Sequence, residues 1–307
     1  MDLLARIAPF FLLIALGALA GRLKLLDEGG WRGLSAYTFW IGFPALLVSW
    51  LGGAPAPDAG LWMSVVGYVG VFLALMALAY ALGALLRWRP AERAGAGACA
   101  GVGNTAFLGA PIVVALLGEG ARGPAMAFVA ADFTLLTAMV ALGFLRAGAG
   151  RANGRARLAA VVNPTVVGAG VGVALSLSGL RLWAPADAAV DLLAATASPV
   201  ALIALGGLIG GQRLLPDRRE AGPLALALAL KLLAAPLLVW GLFSMWGGAS
   251  SEVTSVAVLL AGCPTAVNVF VQARAFGVFE AGAARAVGLG ALLSLFTLTL
   301  IAGQLGH

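Results

Sequence analysis

Two uncharged stretches of the chain place asparagine and threonine beside glycine and proline. The first reads GNTAFLGAPIVVALLG over 103–118, and the second reads VLLAGCPTAVNVFVQARAFG over 258–277. Proline inside a helix removes a backbone hydrogen bond and clashes with the preceding turn, so both stretches predict an interrupted helix. An interrupted helix leaves free N–H groups and carbonyl oxygens, and these can bind an anion or a small cation.

The candidate binding residues flank the two interruptions. We expect Pro111 and Pro264 each to begin a second half-helix, because proline suits the first helical position. The N-termini of such half-helices carry partial positive charge, which favours an anionic ligand. Polar side chains complete the candidate substrate site: Asn104, Thr105, Thr265 and Asn268. A pair of ordinary proline kinks, with these side chains joining neighbouring helices, is the alternative.

Two ionisable residues lie inside otherwise uncharged runs. Asp132 and Lys231 fall about 12 and 15 Å along their predicted helices, which gives them similar depths in a core of roughly 30 Å. Charged residues at membrane depth are functional candidates by default. We expect the two to lie close enough for an ion pair. Asp132 could exchange a proton, or coordinate sodium together with Asn104 and Thr105; a structural salt bridge is the alternative.

The elements that carry these residues are predicted to be transmembrane helices. Of the 307 residues, 62% are hydrophobic and 10% charged, whereas soluble proteins carry about 25% charge. Uncharged runs of roughly 20 residues recur along the chain, and each predicts a membrane-spanning helix. We therefore predict an all-α polytopic membrane protein with ten spans, near 3–21, 33–52, 60–86, 94–117, 124–145, 158–178, 188–211, 221–246, 253–273 and 284–305.

The basic residues divide unevenly between alternate connections. Of the 19 lysine and arginine residues, 15 lie in the odd-numbered connections, and only Arg122 and Arg181 lie in the even-numbered ones. The positive-inside rule then places the odd connections in the cytoplasm and both termini outside the plasma (inner) membrane. Because the net charge of +6 lies in short loops, we expect membrane lipid and no nucleic acid among the partners.

Proline spacing indicates a duplicated unit. Three proline pairs lie 155, 155 and 153 residues apart: Pro9 and Pro164, Pro44 and Pro199, and Pro111 and Pro264. We divide the chain into a five-span repeat over 1–146, a short cytoplasmic linker over 147–157 and a second repeat over 158–307. Because five is odd, the second repeat is inverted in the membrane, as in many secondary transporters. The first span then has a counterpart, which argues against its removal as a signal peptide.

The interrupted stretches resemble those of a known family. GNTAFLGAPI is similar to the N-T-x-F-L-G-x-P element of the auxin efflux carrier family, and CPTAVNVFVQARAFG resembles the element of its ninth span. NPTVVG at 163–168, and Lys231 followed by Pro236, fit the same family. The family includes plant PIN-type auxin exporters and bacterial malonate and malate permeases, and the resemblance extends over essentially the whole chain.

The resemblance implies ten helices in two inverted five-helix repeats, with broken crossing helices four and nine. It implies Pro111 and Pro264 at the crossover and Asn104 as the substrate asparagine. It also implies a dimerising scaffold of helices one, two, six and seven, beside a transport unit that moves as an elevator. The expected function is secondary active transport of a small organic anion, such as an auxin-like or malonate-like carboxylate, in the direction of efflux.

Other functions remain open at this point. A sodium-coupled symporter of organic anions, of the bile-acid type, shares the broken-helix plan and is the nearest alternative. A membrane-embedded enzyme is disfavoured, because the chain has one aspartate at membrane depth and its single histidine is His307. We expect no cofactor beyond a coupling proton or sodium ion. A receptor that binds without transport is a third possibility.

Overall fold

Every regular element in the described part of the chain is helical. The computed structural model describes residues 3–54, 58–147, 164–211 and 214–305, so most of the predicted linker 147–157 lies outside the described residues. The helical segments in these ranges are α1 Leu3–Arg22, α2 Glu28–Gly52, α3 Ala59–Leu85, α4 Pro90–Gly101, α5 Thr105–Leu117, α6 Glu119–Ala147, α7 Pro164–Ser178, α8 Ala184–Gly210, α9 Arg218–Trp246, α10 Ser251–Ala261, α11 Val267–Phe276 and α12 Glu280–Gln304.

Seven of the described helices are long and apolar enough to cross a membrane: α1, α2, α3, α6, α8, α9 and α12. Shorter apolar helices include α5 and α10. Large apolar side chains point away from the protein, as at Leu12 and Phe296, which are each 67% exposed. A surface of this kind suits contact with lipid, and the prediction of a multi-pass helical membrane protein is confirmed.

Four π turns interrupt the longer helices: Thr38–Gly42 in α2, Thr105–Gly109 in α5, Asp132–Leu136 in α6 and Leu230–Ala234 in α9. The first, second and fourth each end two residues before a proline, at Pro44, Pro111 and Pro236. Proline lacks an N–H and crowds the carbonyl four residues earlier, which the wider π turn accommodates. No proline follows the turn that begins at Asp132, and π turns of this kind are frequent at functional sites.

Helices α1, α2, α7 and α8 pack crosswise, α1 along α8 and α2 along α7. Both contacts depend on glycine, because a Cβ on Gly17 would overlap the carbonyl of Ile203 and a Cβ on Gly172 would overlap that of Leu47. Small residues allow this close approach of membrane helices. Gly17 and Gly172 lie 155 residues apart, which is the spacing of two of the proline pairs.

The remaining helices surround α4, α5, α10 and α11. Residues 94–101 of α4 are all buried, and α10 is buried from Val256 to Ala261. Helix α3 packs along α4, and the second half of α9 packs along α10. The parts of the two uncharged stretches that cross, 102–110 and 258–266, are therefore in the interior of this group of helices.

The expectation that each proline begins a half-helix is met in part: Pro111 lies in the first turn of the regular α-helix Ala110–Leu117, although a π turn precedes it, and Pro264 begins no helix. Helix α5 begins at Thr105, six residues before Pro111, and α11 begins at Val267, three residues after Pro264. The non-helical residues are 102–104 and 262–266. These two segments pair with each other, so a contact between distant parts of the chain sets the position of each interruption. Pro111 instead follows the π turn of α5.

Candidate functional site

The two non-helical segments cross and hydrogen-bond to each other. The N–H of Asn104 donates to the carbonyl of Pro264 at 2.7 Å, and the N–H of Ala266 donates to that of Val102 at 3.0 Å. Gly103 lies opposite Thr265 in an isolated antiparallel bridge. Four helix ends therefore meet at this crossover: the C-termini of α4 and α10, and the N-termini of α5 and α11.

The carbonyl ends at the crossover are closed by donors. Lys231 is fully buried, and its Nζ donates to the carbonyl of Ala261 at 2.8 Å, at the last residue of α10. The hydroxyl of Thr265 donates to the carbonyl of Cys99 at 2.9 Å, in the last turn of α4. The last carbonyls of a helix have no partner inside that helix. Lys231 and Thr265 thus satisfy acceptors that the interruptions leave exposed.

The amide ends at the crossover remain open. The N–H groups of Thr105 and Ala106 at the start of α5, and of Val267 and Asn268 at the start of α11, have no acceptor among the described residues. Such N–H groups and the partial positive charge of a helix N-terminus attract anions. The side chain of Asn104 is 2% exposed and makes no hydrogen bond within the described part of the chain.

A second polar group lies where α3, α5 and α6 meet. The hydroxyl of Tyr68 donates to Oδ2 of Asp132 at 3.4 Å. The hydroxyl of Thr105 lies beside the same carboxylate as a further donor, in a contact looser than an ordinary hydrogen bond. Asp132 and Thr105 are fully buried. The carboxylate of Asp132 is therefore buried with only weakly placed donors around it, the hydroxyls of Tyr68 and Thr105.

The expected ion pair between Asp132 and Lys231 is not formed. The two side chains are close enough for their charges to interact, but Nζ of Lys231 donates to Ala261 and lies 4.6 Å from the centre of the Phe72 ring. The free carbonyl of α10 competes successfully for the ammonium group because it would otherwise be buried without a donor.

Helix α11 contacts α6 through side chains. The amide of Asn268 donates from Nδ2 to the hydroxyl of Thr137 at 3.3 Å, and Nε2 of Gln272 reaches the carbonyl of Thr137 at 3.5 Å. Thr137 in turn donates to the carbonyl of Asp132 at 3.2 Å. The oxygen Oε1 of Gln272 is buried and has no partner among the described residues.

The structure brings together most of the residues singled out in the sequence. Asn104, Thr105, Pro264, Thr265 and Lys231 lie at the crossover, and Asp132 lies beside Thr105. Asn268 lies on the first turn of α11, whereas Pro111 lies further along α5.

The candidate residues selected from the sequence did not include Tyr68, Thr137 or Gln272. Each is a polar residue inside an otherwise apolar span, which is the signal that could have identified them.

The described residues offer no metal centre. No group of three or more His, Cys, Asp or Glu side chains that could hold a metal ion occurs within them. Cys99 and Cys263 are both buried and unpaired to each other.

Comparison with known proteins gives two similarities. The chain matches the family described as "Membrane transport protein" twice, over residues 2–155 and 151–302. It is 32% identical over 304 residues to the "Putative malonate transporter" of Rhizobium meliloti (strain 1021), and the match covers 95% of this chain and 92% of that protein. The two family matches divide the chain near the position that the proline spacing indicates.

Proposed function

Because this chain belongs to the auxin efflux carrier family of membrane transport proteins, we propose that it carries a small organic anion of malonate size by secondary active transport. The observation that carries this proposal is the asymmetry of the crossover, where donors close the carbonyl ends while the amide ends stay open. An open amide end favours a carboxylate. The family and the name of the relative indicate a transporter and not an enzyme.

The residues at the crossover take different roles in this proposal. Asn104 donates from its free side-chain amide to a carboxylate oxygen of the substrate. The N–H groups at the starts of α5 and α11 donate to the remaining carboxylate oxygens. Lys231 adds positive charge without touching the substrate, because its ammonium group is held by Ala261. Asn268 and Gln272 extend the site along α11.

The proposed architecture follows the pairing of helices. We propose that α4 with α5, and α10 with α11, each form one broken span, which gives ten spans in two inverted repeats over 1–146 and 158–307. Helices α1, α2, α7 and α8 form a scaffold that dimerises, and the other helices form the transport unit, which moves as an elevator. The crosswise packing of α1 on α8 and of α2 on α7 supports this division.

The proposed orientation follows the charges. Under the positive-inside rule, the basic connections place the C-termini of α1, α3 and α6 and the N-terminus of α9 near the cytoplasm. Both chain termini then lie on the outer side of the plasma membrane. Efflux is the proposed direction.

We propose that Asp132 is the coupling group. Its Oδ1 has no closely placed donor among the described residues, and a buried carboxylate held this loosely can accept a proton, or bind a small monovalent cation together with the hydroxyl oxygen of Thr105. An imposed proton or sodium gradient across proteoliposomes identifies the ion. The gradient that changes the rate of transport in the wild type should no longer change it in Asp132→Asn, while substrate binding persists.

A binding experiment tests the substrate class. Malonate, malate and indole-3-acetate are added to purified protein, and the midpoint of thermal unfolding is measured with and without sodium. We expect malonate to raise the midpoint of the wild type, since a ligand that binds the folded state stabilises it, and to have no effect on Asn104→Ala. Thr265→Val is the matched control, because it alters the crossover without removing an open donor. A malonate response that survives in Asn104→Ala would refute the proposed site.

A flux experiment separates the transporter from the alternatives. Radiolabelled malonate is loaded into proteoliposomes, and its exit is followed. Binding without flux would indicate a receptor, and uptake that depends strictly on sodium would indicate a symporter of the bile-acid type. Exit that exceeds the leak of empty liposomes and is lost in Asn104→Ala supports the proposal.

A further inference from the structure

Two of the few basic residues outside the odd-numbered connections join separate groups of helices. Arg6 lies on α1, and its Nη1 donates to the carbonyls of Ala115 and Leu116, both at 3.3 Å, in the last turn of α5. The last carbonyls of α5 lack partners within the helix, and a cation is favourable at that negative end. Arg6 thereby connects α1 to α5.

The second residue, Arg122, lies at the same end of the molecule. Its Nη2 donates to Glu119 at 3.0 Å, and its guanidinium carbon lies 5.0 Å from the centre of the Trp50 ring near the end of α2. An arginine in this position is attracted to the face of the indole ring. The neighbouring Gly123 also approaches Ala54, since a Cβ on Gly123 would lie 3.0 Å from the Ala54 Cβ. Arg122 thereby connects α6 to α2.

Deeper contacts between the same helices are made by aromatic rings. The ring of Phe43 on α2 lies 5.1 Å from that of Phe107 on α5 and 4.3 Å from that of Phe133 on α6. These ring contacts are apolar and involve no charged group. The two arginines make directional contacts, and these fix the position of α5 and α6 relative to α1 and α2.

Helix α5 connects the arginine contact to the candidate site. The helix runs from Thr105 at the crossover to Leu117, a distance of about 20 Å at 1.5 Å per residue. A helix of this length moves nearly as a rigid body. Arg6 therefore holds one end of the helix whose other end contributes open N–H groups to the crossover.

We propose that Arg6 and Arg122 are positioning residues that hold the transport unit against the scaffold in one of its transport states. The proposal rests on the proposed function, because it concerns the movement of the crossover between two sides of the membrane. Both contacts must break when α5 and α6 move past α1 and α2. Their rupture and re-formation then influence the rate of the movement, while the chemistry of the substrate site stays the same.

The test combines a transport assay with hydrogen exchange. The variants are Arg6→Ala and Arg122→Ala, with Arg6→Lys and Arg122→Lys as conservative versions. Arg181→Ala is the matched control, since Arg181 is an exposed arginine in the connection between α7 and α8, on the same proposed side of the membrane. We expect each alanine variant to change the maximal rate of malonate exchange at least threefold while the KM stays within twofold. The lysine variants should recover the wild-type rate within twofold.

Amide hydrogen exchange gives a readout that does not depend on the substrate. We expect exchange in the last turn of α5 to accelerate at least threefold in Arg6→Ala, with protection at Asn104 and Ala266 retained. An exchange rate or a maximal transport rate equal to that of Arg181→Ala overturns the proposal. Absence of malonate flux in the wild type refutes the proposed substrate instead, and the exchange measurement then decides the role of the arginines alone. If Arg6→Ala does not fold, the same rates are compared between Arg181→Ala and the remaining variants, Arg6→Lys, Arg122→Ala and Arg122→Lys.

Discussion

The two segments that cross in the interior have similar sequences and different hydrogen bonding. In the second segment, the hydroxyl of Thr265 is bonded to Cys99, and the amide of the nearby Asn268 is bonded to Thr137. In the first segment, the side chain of Asn104 forms no hydrogen bond with any described residue, and the hydroxyl of Thr105 contacts the Asp132 carboxylate only loosely. The second segment stabilises the crossover, and the first leaves its polar groups available to a ligand.

The two buried charged residues differ in the same way as the two segments. Lys231 is held at the end of α10, on the side of the second segment, whereas Asp132 lies beside Thr105 in the first. One charge completes a structural contact, and the other has an oxygen without a partner. The two crossing segments therefore have unequal roles, and substitutions that preserve shape can measure this difference.

The largest effect on stability is expected for Lys231→Met. The change leaves the carbonyl of Ala261 without a donor and Asp132 without a nearby positive charge, and loss of one buried charge in such a group costs about 3 to 5 kcal/mol. The measurement is the free energy of unfolding in detergent. Asp132→Asn in the same chain should restore more than half of the loss. Simple addition of the two single effects would show that the charges are independent.

A smaller loss is expected for Thr265→Val. Valine has nearly the same shape but cannot donate to Cys99, and a buried acceptor left without a donor costs about 1 to 3 kcal/mol. Thermal unfolding checks the loss, and malonate titration checks the affinity, which should stay within twofold of the wild type. A large loss of affinity without a loss of stability would assign the second segment to the ligand and contradict the comparison.

The opposite pattern is expected for Thr105→Val. Only the loose contact with the Asp132 carboxylate is lost, so the free energy of unfolding should change by less than about 0.5 kcal/mol, which is the usual range where no well-formed hydrogen bond is removed. Malonate transport should fall about tenfold, equivalent to about 1.4 kcal/mol. Proteoliposome flux and thermal unfolding of the same preparation check both parts. Stability that falls as far as in Thr265→Val would mean that Thr105 is structural too.

The smallest effect is expected for Gln272→Leu. The single hydrogen bond of Gln272 is long, at 3.5 Å, and Oε1 has no partner among the described residues, so stability should change by less than about 0.5 kcal/mol. We expect the KM for malonate to rise about threefold, a difference of under 1 kcal/mol. An unchanged KM would indicate that the ligand contacts the first segment and does not reach Gln272 on α11.

The sequence predicts the general plan of the protein because that plan depends on local properties. Uncharged runs long enough for a membrane identify a multi-pass helical protein, of which seven described helices are long and apolar enough to span, and the proline spacing predicts a duplicated unit. Polar residues beside glycine and proline likewise point to Asn104 and Thr265 as candidates. These inferences need no knowledge of which helices pack together.

Other features escape prediction because they depend on contacts between distant residues. Pairing of Asn104 with Pro264 places the first interruption seven residues before Pro111, although proline alone suggests the later position. Competition between Asp132 and the carbonyl of Ala261 for Lys231 is decided by the orientation of α10. The difference between Thr105 and Thr265 arises in the same way, since Thr265 donates to a carbonyl at 2.9 Å whereas Thr105 makes only a loose contact with a carboxylate.

The pairing of the two crossing segments also constrains biosynthesis. Asn104 and Pro264 are separated by 160 residues, which take roughly 10 to 30 s to synthesise at the usual rates of translation. During that interval the first half of the chain is in the membrane, and the backbone groups of Val102 and Asn104 have no hydrogen-bond partner from the second segment. The ribosome must finish nearly the whole chain before the crossover can close, so a truncated first half is a natural substrate for membrane quality control.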